Sequence, residues 1–154
     1  MPLNAYGFGG IMSMWNIKQT KEFQDWFDGS NKKLQADIVE HVEILRQIGP
    51  QLGRPHADTI KGSSITNLKE LRFSSGEQVV RVFYVFDPDR NGVLLIGGNK
   101  SSSGGKTFYK DMIHQSEKIY AAYLEERKKE IEKEQKKIEI KKVPSKASKK
   151  GKKR

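Results

Sequence analysis

The stretch LKELRFSSGEQVVRVFYVFDPD, residues 68–89, decides the fold, because two runs of β-forming residues flank a short polar turn. A hairpin centred on Gly76-Glu77 places Arg72 directly opposite Arg81. Like charges at opposed positions destabilise a sheet. The sequence therefore predicts a compensating group, which is either a carboxylate such as Glu70 or an anion that does not belong to the protein.

Two interpretations of this arginine pair stay open at the level of sequence. In the first, the guanidinium groups have a structural role and pair with Glu70, Asp87 or a helix C-terminus. In the second, they bind phosphate, because the forked guanidinium group matches two phosphate oxygens with parallel hydrogen bonds. Two arginines on one sheet face would then hold a nucleic-acid backbone.

The segments around the hairpin complete an α+β pattern. Upstream, we expect a short strand at Trp15–Thr20, a helix at about 21–28, and a second helix whose apolar residues recur every three or four positions. Downstream, a third strand is expected at 93–97 and a final helix from about Thr107. The polar segment 50–67, between the second helix and the hairpin, is predicted to be a long loop.

The charge is concentrated at one end of the chain. Arg127 to Arg154 contain 14 of the 29 Lys and Arg residues and 4 of the 19 Asp and Glu residues, so this segment carries the whole net charge of +10. We therefore expect a folded domain at 14–127 and a basic, largely disordered tail at 128–154. The tail either binds RNA phosphates or is a dispensable extension. Residues 1–13 are expected to be disordered, or untranslated because Met12 and Met14 are alternative starts.

Composition excludes several classes of protein and site. The chain has no cysteine, so it has neither disulfides nor a thiolate metal site. No apolar run has the length of a membrane span, and the first residues lack the pattern of a secretory signal. A cytoplasmic protein is the default expectation. His and Asp residues do not cluster at metal-ligand spacing, so no metal and no cofactor are predicted.

Further candidates for an anion site follow the third strand. It ends in Gly97-Gly98-Asn99-Lys100, where bare backbone would let a ligand approach closely and Lys100 adds a cation. Tyr109 lies in the first turn of the last helix, where backbone amides favour an anion. Spacing alone does not separate Tyr109 from its neighbour Phe108 as the residue that faces the core.

Taken in order along the chain, five stretches resemble one family. MWNI, LGRPHADTIKGSSITNLKELRF, RVFYVFDPD, VLLIGGNK and KTFYKDMI are similar to the RelE/HigB toxins of type II toxin–antitoxin systems, in their HigB-like branch. The resemblance covers about residues 14–127. It implies a small RelE-like fold, with an N-terminal helical hairpin and a C-terminal helix around a curved antiparallel sheet.

The same resemblance implies a function and partners. Such toxins are metal-independent endoribonucleases that cut mRNA, usually on the ribosome, and a cognate helix-turn-helix antitoxin neutralises them. Two alternatives remain: a non-enzymatic poison of the gyrase-inhibiting ParE type, and a degenerate member that only binds RNA or a partner. The retained cations Arg72, Arg81 and Lys100 favour the ribonuclease over the gyrase poison.

The family pattern also implies site residues. Its catalytic cations correspond to Arg72, Arg81 and Lys100, and its tyrosine to Tyr109, whereas Asn99 and a run of serines depart from the basic residues that relatives often have. RNA supplies its own nucleophile, the 2′-hydroxyl, and general acid–base help is typically worth ~10²–10⁴-fold. Glu70 is the nearest candidate base and His56 the second. Further RNA contacts are expected from the basic residues His56, Lys61, Lys69 and Lys106.

Overall fold

The computed structural model describes residues 14–102 and 104–151, so the expectations for residues 1–13 lie outside it. It divides into two compact units, one that ends at Ile119 and one that begins at Tyr120. In chain order the elements are β1 Ile17–Gln19, α1 Lys21–Asp28, α2 Lys32–Ile48, β2 Ala57–Thr59, β3 Lys69–Ser75, β4 Gln78–Phe86, β5 Gly92–Asn99 and α3 Gly105–Gly151, with short 3-10 turns at Gly49–Gln51 and Lys100–Ser102.

The five strands form one sheet in the order β1-β5-β4-β3-β2, which confirms the expected α+β, RelE-like architecture. The hairpin has the predicted register, with Arg72 opposite Arg81. The sheet is mixed rather than purely antiparallel, because β1 runs parallel to β5 at the edge. The segment expected to be one long loop contains β2, which pairs with β3.

Local sequence explains where the first two helices begin and end. The Thr20 hydroxyl accepts a hydrogen bond from the Phe23 amide, and the Asn31 side chain accepts one from the Leu34 amide, so each helix has an N-cap. Gly49 ends α2 at φ +76°. A β-carbon at this glycine would lie 2.3 Å from the Trp15 indole, so glycine is required there by both backbone and packing.

The two faces of the sheet are covered differently. One face packs against α1 and α2 and forms the main hydrophobic core, which includes Phe23, Leu34, Ile38, Val42, Leu45, Leu71, Val80, Val82, Tyr84 and Leu94. The other face carries the alternate residues of β3 and β4 and lies beneath the start of α3, where Phe108 and Met112 are buried. Burying these apolar side chains contributes about 1.5–3 kcal/mol each to folding.

The helix α3 continues to Gly151, so it includes most of the tail that was expected at 128–154. Its residues 128–142 are all exposed and rich in Lys and Glu, which are good helix formers. The proposed boundaries of the folded domain, at residues 14 and 127, stay a prediction. Among the described residues, no helix combines the length and the apolarity that a membrane crossing needs.

Candidate active site

Glu70 is the centre of the site. It lies on β3, on the sheet face opposite the main core, and is 3% exposed. The Nη1 atom of Arg72 donates a 2.9 Å hydrogen bond to Oε2 of Glu70, and Nε of Arg81 lies 3.5 Å from Oε1. The carboxylate therefore compensates both opposed arginines. Asp87, the other carboxylate considered for this role, instead accepts hydrogen bonds from the amides of Asp89 and Asn91 in the turn.

Tyr109, the fifth residue of α3, completes the network. Its hydroxyl donates a 2.7 Å hydrogen bond to Oε1 of Glu70 and accepts one of 3.2 Å from Nε of Arg81. Burial, and then the hydrogen bond to Glu70, raise the pKa of the Tyr109 phenol, while Arg81 opposes this rise. Phe108, not Tyr109, is the core residue, because it packs against Gly98 and is 6% exposed.

Lys100 lies at the outer side of this network. Its Nζ atom is 5.5 Å from the centre of the Tyr109 ring, a cation–π distance. The preceding residue, Asn99, ties the strand end to its surroundings, since its side-chain oxygen accepts hydrogen bonds from the amides of Val79 and Ser101. The structure thus brings together all five residues for which a catalytic role was predicted: Glu70, Arg72, Arg81, Lys100 and Tyr109.

These five residues differ in depth. The side chains of Glu70 and Arg81 are only 4% and 8% exposed, whereas that of Arg72 is 24% exposed. Tyr109 and Lys100 are also partly exposed. A ligand can therefore contact Arg72, Tyr109 and Lys100, with Glu70 and Arg81 beneath them. Three cations against one carboxylate leave two positive charges, so the cluster is suited to an anion.

The residues expected to contact RNA are not gathered in the same way. The Lys69 ammonium donates a hydrogen bond to the Pro50 carbonyl, and Lys69 is paired with the core residue Tyr84. Lys69 therefore lies on the face of the sheet that packs against α1 and α2. The alternation of side chains along a strand already predicted this position, because Lys69 lies on the same face of the sheet as Leu71 and on the opposite face from Glu70. Lys61 and Lys106 are exposed.

His56 likewise lies away from Glu70. Its ring is 6.2 Å from that of His41 on α2, and the His41 ring stacks on Phe73 at 4.1 Å, on the side of the main core. The His56 carbonyl accepts a hydrogen bond from the Arg72 amide, so its contact with the site is made through the backbone. Of the two candidate bases, Glu70 is the one in the cluster.

The two glycines at the end of β5 have a packing role instead of exposing backbone to a ligand. A β-carbon on Gly97 would lie 2.3 Å from the Trp26 ring, and one on Gly98 would lie 3.0 Å from Phe108. Aromatic side chains therefore cover this strand on both faces. The prediction that a ligand can closely approach bare backbone is therefore wrong at these two positions.

Sequence reasoning missed two sets of contacts made by the polar segment 50–67. Asp58 of β2 lies opposite Glu70 and binds Arg54 at 2.7 Å, and chiefly this guanidinium lowers the pKa of its carboxyl. Glu117 of α3 accepts hydrogen bonds from the Ser63 hydroxyl and from the Ser64 amide and hydroxyl. Both depend on the segment 50–67, for which only a loop was predicted. In the sequence, the spacing of four residues between Arg54 and Asp58 was the one pattern that indicated either of these contacts.

Comparisons with known proteins agree with this architecture. The sequence model of the family described as "Phage derived protein Gp49-like (DUF891)" matches residues 25–121, which include all five residues of the cluster. The chain is similar to "Putative toxin HigB2" of Mycobacterium tuberculosis, with 34% identity over 100 residues, and to "Putative toxin HigB3" of the same organism, with 34% identity over 82 residues.

These matches differ in coverage. The first takes in 64% of this chain but spans only about half, 49%, of HigB2, and the second takes in 53% of this chain and 70% of HigB3. The family model covers well over half of the chain. The protein therefore belongs to the Gp49-like family, a family of RelE/HigB-type toxins.

Proposed function

We propose that this protein is the toxin of a type II toxin–antitoxin pair and that it acts as a metal-independent endoribonuclease on mRNA, on the ribosome. Two relatives named as HigB toxins support the first part of the proposal. The composition of the cluster around Glu70 supports the second part. Its partners would be ribosome-bound mRNA and a helix-turn-helix antitoxin.

One observation carries the ribonuclease proposal: Arg72, Tyr109 and Lys100 are all partly exposed, and the single carboxylate of Glu70 cannot neutralise the three cations of the cluster. RNA cleavage by the 2′-hydroxyl passes through a phosphorane that carries more negative charge than the substrate. Fixed cations stabilise such charge without reorganisation, and one such group is typically worth about 10²–10³-fold in rate. In this proposal, Arg72 and Lys100 contact the phosphate.

The ion pairs to Glu70 also give the arginines a structural role, so their presence alone does not establish catalysis. A purely structural arrangement, however, needs no third cation. Lys100 adds positive charge beside Tyr109, which itself contacts Arg81, and like charges gathered in this way destabilise a sheet. Holding these like charges together costs free energy, and a bound phosphate would offset this cost.

The proposal is tested by cleavage of ribosome-bound mRNA with wild-type protein, Arg72→Met and a control, Lys118→Met, whose lysine is exposed on α3. We expect wild type and control to cut and leave a 2′,3′-cyclic or 3′-phosphate end. Arg72→Met should be slower by about 10²–10³-fold. Ends with a free 3′-hydroxyl would contradict attack by the 2′-hydroxyl.

A second assay separates this proposal from the gyrase-poison alternative. Wild-type protein is added to DNA gyrase with relaxed plasmid, and supercoiling is measured. We expect no inhibition at concentrations that cleave mRNA completely. Inhibition of gyrase together with intact mRNA would favour the ParE-type function, and RNA binding without cleavage would favour a degenerate member.

A further inference from the structure

The position of Glu70 raises a question about the base, because this carboxylate is too deep to contact RNA. Its side chain is 4% exposed. Oε2 accepts a hydrogen bond from Arg72, and Oε1 accepts one from Tyr109 and lies 3.5 Å from Nε of Arg81. A 2′-hydroxyl could reach Glu70 directly only if Tyr109 or Arg72 moved away.

Tyr109 is the group through which Glu70 can act. A phenol oxygen has one proton to donate and two lone pairs that accept. The proton is donated to Glu70, and one lone pair accepts from Nε of Arg81. One lone pair remains, and Tyr109 is partly exposed, so this lone pair is available to accept a hydrogen bond from an RNA hydroxyl.

From this geometry, and resting on the proposed ribonuclease function, we infer that Glu70 is the base and that Tyr109 relays the proton to it. As the 2′-oxygen forms its bond to phosphorus, the 2′-hydroxyl proton passes to the Tyr109 oxygen and the phenol proton passes to Oε1 of Glu70. The bond between phosphorus and the 5′-oxygen breaks, and this oxygen takes a proton from the Lys100 ammonium. Tyr109 leaves the step as it entered it, as a neutral phenol.

Arg81 has a positioning role in this relay. Its Nε–H donates to the Tyr109 oxygen at 3.2 Å, so it fixes the direction of the phenol and stabilises the negative charge that develops there during transfer. Its Nη1 atom donates to the Val80 carbonyl at 2.9 Å, which holds the guanidinium in place. Arg81 is 6% exposed and acts on the substrate only through Tyr109.

The alternative role for Tyr109 is that of general acid for the 5′-oxygen, and the same geometry opposes it. The phenol proton points at Glu70, away from any bound RNA. Burial also raises the pKa of the phenol, which makes it a weaker donor. Lys100 is a partly exposed cation beside the ring and is better placed to protonate the leaving group.

The two roles can be separated with a substrate in which sulfur replaces the bridging 5′-oxygen at the cleavage site. A thiolate leaves without a proton, so this substrate no longer needs the acid but still needs the base. The variants are Tyr109→Phe, Glu70→Gln, Lys100→Met and the double variant Glu70→Gln/Tyr109→Phe, with Lys118→Met as the control. Single-turnover cleavage on the ribosome is measured for both substrates.

We expect Tyr109→Phe to lose about 10²–10⁴-fold on both substrates, the range for general base catalysis. Lys100→Met should lose activity with oxygen and regain it with sulfur. Because Glu70 and Tyr109 serve one step, the double variant should be within about threefold of Tyr109→Phe, since groups that act as a unit are not additive.

Rescue of Tyr109→Phe by the sulfur substrate would overturn the relay, because Tyr109 would then be the acid. A loss in the double variant equal to the product of the losses in Glu70→Gln and Tyr109→Phe would also overturn the relay. Tyr109→Phe keeps the contact between Glu70 and Arg72, so it tests the relay even if Glu70→Gln does not fold. Failure of the wild type to cleave either substrate would instead overturn the proposed ribonuclease function itself.

Discussion

Arg72 and Arg81 lie directly opposite each other on β3 and β4, and a single carboxylate, that of Glu70, contacts both guanidinium groups. The contacts are 2.9 Å to Arg72 and 3.5 Å to Arg81. The repulsion expected between opposed cations is thus reduced within the protein. Because Glu70 is buried and contacts both, its removal would leave two close cations without a compensating charge.

The first prediction concerns the free energy of unfolding of Glu70→Gln. Removing one partner of a buried ion pair typically costs about 3–5 kcal/mol, and we expect a loss near the lower end because glutamine can still accept a hydrogen bond from Arg72 or Tyr109. Urea unfolding measures it. Glu77→Gln, in the exposed hairpin turn, is the control and should stay within about 0.5 kcal/mol of wild type.

If Glu70 compensates the arginines, a second change should recover part of this loss. Arg81→Met in the Glu70→Gln background removes one of the two uncompensated cations and keeps an apolar side chain in the space of the arginine stem. We expect the double variant to be more stable than Glu70→Gln alone. Additive losses from the two changes would contradict the compensation that the structure shows.

The second prediction concerns ionisation of Tyr109 in the absence of RNA. The phenol pKa is raised above its ordinary value of 10.0, mainly by burial and then by the hydrogen bond to Glu70. Because the pKa is higher in the folded protein, the stability that comes from the neutral phenol is complete below pH 10.0 and is lost as pH rises through the folded pKa. The tyrosinate absorbance of the wild type, after subtraction of that of Tyr109→Phe, should show this group titrating above pH 10.0.

Neighbouring substitutions should move the same titration in opposite directions. Glu70→Gln should lower the Tyr109 pKa only in part, since burial remains, and Arg81→Met should raise it, since the guanidinium opposes the shift. Lys118→Met should leave the titration curve unchanged. Identical curves for wild type and Glu70→Gln would contradict the contact between the two residues.

Much of this site could be predicted from sequence because strand alternation and turn chemistry are local properties. They placed Glu70, Arg72 and Arg81 on one face and fixed the opposed register. The depth of each residue could not be predicted in the same way, because it depends on how α3 packs over the sheet. Phe108 and Tyr109 are adjacent in the chain, and only tertiary packing decides that Phe108 enters the core and Tyr109 meets Glu70.

The strand β2 was missed for a different physical reason. Ala57–Thr59 has three residues, with no apolar alternation, and follows a proline. Its strand conformation depends on pairing with β3, a contact distant in sequence. The position of His56 could not be predicted for the same reason, since the loop around this residue was predicted without a partner strand.

The third prediction tests the packing role of Gly97. Gly97→Ala puts a methyl group within 2.3–2.5 Å of the Trp26 ring, so either α1 or the strand must move. We expect a loss of about 1–3 kcal/mol in the free energy of unfolding, the usual cost of overpacking. Gly53→Ala is the control, because its β-carbon would meet nothing closer than 4.0 Å. A smaller loss in a Trp26→Leu background would identify the indole as the cause.

The fourth prediction concerns the loop that Glu117 holds. Hydrogen bonds from the Ser64 amide, and then from the Ser63 and Ser64 hydroxyls, lower the pKa of the Glu117 carboxyl below its ordinary value of 4.5. A lowered folded pKa gives stability that is present above pH 4.5 and lost as pH falls through the folded pKa. The difference in unfolding free energy between wild type and Glu117→Gln should therefore be constant at neutral pH and shrink below pH 4.5. A difference that grows on acidification would contradict this contact.

The last prediction concerns the basic part of α3, for which RNA binding and dispensability remain the two alternatives. Lys129, Lys133, Lys136 and Lys137 are exposed and recur at spacings that place them on one side of the helix. If this side contacts single-stranded RNA, each lysine that neutralises a phosphate releases counterions, and the slope of log Kd against log salt changes by about 0.7 per contact. Replacing all four lysines with glutamine should then reduce the slope by about one to three units.

Filter binding of an RNA oligonucleotide at several salt concentrations measures this slope. Arg72→Met serves as the background, so that the RNA stays intact. The control replaces four exposed lysines outside this segment, Lys18, Lys32, Lys33 and Lys118, and so removes the same charge. A smaller slope in the tail variant alone would mean that position, and not total charge, determines binding. Equal slopes in the tail variant and its background would mean that this part of α3 is dispensable for RNA binding, and the cluster around Glu70 would then have to supply the phosphate contacts.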